Sequence, residues 1–214
     1  MTVTSAGART PGRVSSTATA LTVLTATVAA GGSAYAFSRF TGWTSETVTL
    51  PVGAVGLATA VLLAVLVPLS VGVRWGSTGH HWRLVTGAVL GVAAVTAGFR
   101  LAAPAAPYDA SIGELVLVPV GEELLFRGVL LAVLVQVLRP RLGGRAPGWA
   151  VTVSALAFGA GHLGNLGYVE TDFVVLQVLV ATVFGLVAGW VRIRTDSLFG
   201  PVLLHATMNA IAVA

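Results

Sequence analysis

The sequence predicts an all-α protein, a polytopic transmembrane bundle of about seven helices, and three observations carry that prediction. Of the 214 residues, 56% are hydrophobic and only 9% charged, with a mean hydropathy of +0.90. Soluble domains carry about a quarter charged residues. Apolar stretches of near-spanning length follow one another with little between them, and a span needs about 20 residues. Arginines alternate between rich and poor loops, as membrane orientation demands.

Composition also excludes several classes. Cysteine is absent, which removes disulfides, thiolate metal sites and a cysteine nucleophile. The formal charge of +4 comes from twelve arginines and no lysine. In so apolar a chain these read as orientation signals. No basic recognition stripe is present, so the bilayer is an expected partner and nucleic acid is not. No nucleotide or organic cofactor is expected. The lysine-free, Ala/Val/Gly-rich usage points to a GC-rich bacterial genome.

Residues 1–16 are polar and rich in Ser and Thr, and read as a disordered cytoplasmic tail ahead of a single transmembrane domain, 17–214. Thr17 to Phe37 is apolar enough to span. It also has basic residues before it and Ala34-Tyr-Ala36 as a cleavage-like site, so six spans remain if it is a removed signal. Full spans follow it and its apolar core is long for a signal, which favours a retained helix. The next spans are Val48–Val73 and Leu84–Ala103, then Ile112–Leu138. Trp149–Leu163 is short, and Phe173–Val191 and Ser197–Ala214 close the chain. The tail and the even-numbered loops hold Arg9, Arg13, Arg74, Arg83, Arg139, Arg141, Arg145, Arg192 and Arg194, against only Arg39 and Arg100 in the alternate loops. The amino terminus is therefore expected in the cytoplasm. Trp75, Trp82, Trp149 and Trp190 fall at the inner ends of spans, as an aromatic belt would have them. His80 and His81 beside Arg83 read as an interfacial polar turn. No internal repeat supports an inverted-repeat transporter.

The stretch Pro119-Val-Gly-Glu122-Glu123-Leu-Leu-Phe-Arg127 lies inside the fourth span. Each charge at mid-membrane costs at least about 2.5 kcal/mol, so these side chains must face partners or a wet cavity rather than lipid. On a helix Glu123 and Arg127 are about 40° apart and can pair, whereas Glu122 points about 100° away from Glu123. Glu123 and Arg127 thus read as a scaffold pair and Glu122 as the reactive group. Pro119 removes one backbone donor close by and can kink the helix or free a carbonyl.

The fifth span ends Phe158-Gly-Ala-Gly-His162, and the last contains His205-Ala-Thr-Met-Asn209, with Asn209 one turn beyond His205. At about 1.5 Å per residue, Glu122 lies about 15 Å below the outer surface, His162 about 10 Å and His205 about 18 Å. These three groups can therefore share one central layer. A carboxylate and two imidazoles around one cavity suit hydrolysis. Either Glu122 and His162 handle the water directly, or Glu122, His162 and His205 hold a catalytic zinc with an open fourth position. His205 and Asn209 could instead donate hydrogen bonds to a developing oxyanion. No H-E-x-x-H pair supports a zincin.

At these residues the chain resembles the CAAX prenyl protease and bacteriocin-processing family of intramembrane proteases, also called type II CAAX endopeptidases or Abi-type proteases. That family shows E-E-x-x-x-R, F-x-x-x-H and then H-x-x-x-N or H-x-x-x-D on successive transmembrane helices. Here they stand as Glu122-Glu123-Leu-Leu-Phe-Arg127, Phe158-Gly-Ala-Gly-His162 and His205-Ala-Thr-Met-Asn209. The matching core is about 112–214. The resemblance implies that Glu122 and His162 activate the attacking water and that His205 and Asn209 polarise the scissile carbonyl. Glu123 and Arg127 would hold the site together. It further implies an endopeptidase acting on a membrane-associated peptide or protein, with zinc either required or dispensable. Relatives linked to self-immunity or scaffolding imply a second reading, a non-catalytic membrane protein of the same fold. A transporter using Glu122 as its carrier site is the third.

Overall fold

The computed structural model describes residues 81–102, 113–167 and 170–213, together with Ala58. The expected tail, the first span and all of the second span but Ala58 lie outside the described residues. Among those described, every regular element is helical. The first, α1 (Trp82–Ala102), falls within two residues of the expected third span.

Expected as one span, 112–138 forms a composite helix. A π-helical turn (Gly113–Leu117) leads into α2 (Val118–Glu123), a second π-helical stretch (Leu124–Leu130) follows, and α3 (Leu131–Leu142) continues the rod. Pro119 is the second residue of α2 and, because the preceding π-helical turn runs straight into it, cannot donate a backbone N–H to that turn. The irregularity expected near Pro119 takes the form of widened turns on both sides of the acidic pair, the usual setting of π-bulges at functional sites. The arginine-rich segment after this span was expected to be a loop. Instead Arg139, Pro140 and Arg141 occupy the last turn of α3, where cationic side chains oppose the negative helix end. Gly143, with φ 51°, then ends α3 in a conformation that a side chain disfavours.

A 3-10 turn (Gly143–Arg145) joins α3 to α4 (Ala146–Gly161). His162 opens a further 3-10 turn, His162–Asn165, immediately after α4. The longest helix, α5 (Thr171–Thr195), passes through Asp196 in left-handed conformation to α6 (Phe199–Val213), and the Ser197 hydroxyl accepts the Phe199 backbone N–H at 3.2 Å. Both α1 and α5 are long and apolar enough to cross a membrane by length and composition.

The helix α4 packs along α5 and α3, while α6 packs along α1 and α5. Glycines make the α4–α5 approach close. A Cβ on Gly185 would lie 2.9 Å from Ala155 Cα, and one on Gly159 would lie 2.8 Å from the Val178 carbonyl. Outward faces carry Leu90, Val95, Phe99, Leu179 and Val183, as lipid-facing helices would. Trp82, Trp149 and Trp190 are exposed near the helix ends that carry Arg83, Arg145 and Arg194.

Candidate active site

The second π-helical stretch is buried along its whole length, Leu124 to Leu130, and it carries Arg127 into the middle of the bundle. Three aromatic rings surround that guanidinium. Its carbon lies 4.2 Å from the centroid of Phe158, 5.7 Å from Phe184 and 5.9 Å from Phe126. A desolvated cation over ring faces gains electrostatic attraction that partly replaces lost water. Its charge is met directly by Glu123, whose Oε1 accepts from Arg127 Nη1 at 3.0 Å. Both side chains are sealed from solvent, at 1% and 0% exposure. A buried pair of this kind is costly to break, because removing one partner strands the other charge.

Glu123 Oε1 also meets His205 Nδ1 at 3.0 Å, across 82 residues of sequence. A carboxylate only accepts, so the proton sits on Nδ1 and His205 is the donor. That fixes the ring's orientation and turns Nε2 toward Glu122, whose Oε2 lies 3.6 Å away. The contact is an ion-pair separation longer than a hydrogen bond, attractive when the imidazole is protonated. Glu122 differs sharply from its neighbour, with 37% of its side chain exposed. The two adjacent acids thus bracket one imidazole, one sealed and one accessible.

Phe158 links the second histidine to this cluster. Its ring packs edge-on against His162 at 5.2 Å and against His205 at 5.8 Å. Nδ1 of His162 donates to the Phe158 carbonyl at 3.1 Å, which leaves Nε2 with a lone pair able to accept a proton. Among the described residues His162 makes no hydrogen bond or ion pair with either glutamate, and its ring meets the cluster through Phe158. Asn209 is half-buried on α6, one turn beyond His205 and on the same side of the helix.

Among the described residues, no three His, Cys, Asp or Glu side chains lie close enough to hold a metal ion together. The zinc set of Glu122, His162 and His205 is therefore not gathered.

Several supporting residues escaped the sequence reading. Ser154 Oγ donates to the Phe126 carbonyl at 2.9 Å, and that carbonyl also accepts the Leu131 N–H across the wide π turn. Asn165 Nδ2 donates to Gln177 Oε1 at 2.7 Å, tying the turn that bears His162 to α5. Both Ser154 and Gln177 are isolated polar residues in apolar spans, a signal that was available. Phe184 sits 5.0 Å from the His205 ring and carries no such signal, since it is one apolar residue among many.

Fold and site together define a helical membrane protein with a buried cluster of carboxylate, guanidinium and imidazole groups. A family model described as type II CAAX prenyl endopeptidase Rce1-like matches residues 104–211, half of the chain. The chain belongs to that family. The family is protease-type, which implies a peptide or protein substrate in a membrane setting. No curated protein and no solved structure matches the chain.

Proposed function

We propose that the protein is an intramembrane endopeptidase that hydrolyses a peptide bond in a membrane-associated protein or peptide. It crosses the membrane about seven times with its amino terminus in the cytoplasm, and uses Glu122 and His162 to activate water. One observation carries this reading. Glu123 is buried, with Oε1 held by Arg127 and His205, while Glu122 stands accessible beside the same imidazole. A general base has to be reached by substrate and water from the surface, and of the two acids only Glu122 is exposed.

In the attack step Glu122 takes a proton from water as the water oxygen bonds to the scissile carbonyl carbon. His162 Nε2, free to accept, orients that water or shares its proton. As the carbonyl oxygen gains negative charge, His205 Nε2 (when protonated) and the Asn209 amide donate to it. Collapse breaks the C–N bond, and the proton first taken from water passes to the leaving amine, so atoms and charge balance. Glu123 and Arg127 do no chemistry and hold His205 in register. Such base catalysis is worth about 10²–10⁴-fold in rate.

The test is cleavage of a panel of membrane-anchored peptides by the purified protein, with variants alongside. Glu122→Gln and His162→Ala are expected to lower kcat at least about 100-fold while the protein still inserts and accumulates. Full activity of Glu122→Gln against an identified substrate would remove the assigned chemistry. Retained partner binding with no cleavage by the unaltered protein would favour the scaffold reading instead.

A further inference from the structure

Arg127 uses little of its hydrogen-bonding capacity in the catalytic cluster. Nη1 meets Glu123, but the buried Nε and Nη2 atoms have no partner among the described residues. Buried charged donors left unpaired are costly, so such groups usually meet ordered water. A cavity of about 50 Å³ adjoins this guanidinium, lined by Arg127, Leu131, Ala132 and Val135 on one side and Arg192, Ile193 and Asp196 on the other. One water needs about 10–15 Å³ of such space, so a few waters fit.

We propose that this cavity is a water-binding site that completes the hydrogen-bond shell of Arg127 and connects it to the arginine-rich end of the bundle. The polar wall opposite Arg127 is the pair Arg192 Nη1 and Asp196 Oδ1, 3.0 Å apart. Arg192 is buried whereas Asp196 is 53% exposed, so a polar path runs from the surface to the guanidinium. The geometry follows from helical spacing. Arg127, Leu131 and Val135 recur every four residues and share the face turned to the end of α5. Charge balance argues for water over an anion. Arg127 is already paired with Glu123, which stands outside the lining, and Arg192 with Asp196 inside it, so neither guanidinium is an uncompensated charge for an anion.

The site stands on geometry alone, independent of whether the protein cleaves peptides. X-ray hydroxyl-radical labelling of the full-length protein in nanodiscs tests it, because radicals formed from bound water mark the side chains beside it. Leu131 lines the cavity, whereas Leu204, also buried, lies in the core away from it. Labelling of Leu131 is expected to run several-fold faster than that of Leu204, and to fall to the Leu204 rate when Ala132→Leu fills the space. Equal rates at the two leucines in the unaltered protein would mean a dry cavity and overturn the proposal. So would a Leu131 rate that Ala132→Leu leaves unchanged in folded protein. Repeating the measurement on Glu122→Gln separates the two ideas: that variant ends the proposed hydrolysis yet leaves the cavity lining intact.

Discussion

The glycines of α1 and those of the α4–α5 seam look alike in sequence and do opposite things in space. Cβ atoms added at Gly87, Gly91 or Gly98 on α1 meet nothing within 4 Å among the described residues. Added at Gly159, Gly185 or Gly189, they collide with the facing helix, and at Gly185 also with Arg127 Nη2 at 3.1 Å. Small residues permit close helix approach, but they do not require it. The seam packs tightly where it backs onto buried charge, since Gly185 faces Arg127, which the neighbouring π-wound stretch Leu124–Leu130 carries. On α1, by contrast, only Val85 is buried and the winding is regular.

That contrast can be broken or sharpened by substitution. The largest effect is expected from Glu123→Ala, which strands the buried Arg127 charge and removes the His205 anchor. It should cost about 3–5 kcal/mol, read as a steep fall in the thermal inactivation temperature in detergent. An unchanged inactivation temperature would show that the pair is not the keystone of the seam. Gly185→Val comes next. Its Cβ meets the Ala155 backbone, so overpacking should cost about 1–3 kcal/mol and also displace the guanidinium. Both stability and any peptidase activity should therefore fall. Ser154→Ala removes one hydrogen bond to the Phe126 carbonyl, for a loss of about 1 kcal/mol. If the loss is nil, the π turn does not depend on that donor. The smallest change is expected at Gly91→Ala on α1, where the added methyl meets open space. Stability should hold or rise by about 0.4–1 kcal/mol because the unfolded chain is restrained. A clear destabilisation there would mean that α1 is as tightly seated as α5.

The fold class was legible because transfer into a bilayer is nearly additive in composition, and helices are the economical way to satisfy backbone groups in lipid. Among the described residues the helices stand close to the expected spans for the same reason, with the exception of Arg139–Arg141. Their charge signalled a loop, but the helix end tolerates it and Pro140 as well. Part of the site was also open to inspection. Glu123 and Arg127 were placed together from a spacing of four, and the structure pairs them at 3.0 Å. His205 was expected to work with Glu122 and Asn209. Its bond to Glu123 was not foreseen, nor was the cage of Phe126, Phe158 and Phe184 around Arg127.

The sequence by itself determined that this chain is a membrane protein, which side chains carry charge into its interior, and which neighbours on one helix can pair. Those are properties of composition and of a fixed angular step along a single helix. Only the tertiary structure decided that one acid is sealed and the next exposed, that both face the His205 ring, and which glycines are seats for another helix. Those depend on how separate helices rotate and approach, and no short window of sequence encodes the azimuth of a partner 82 residues away.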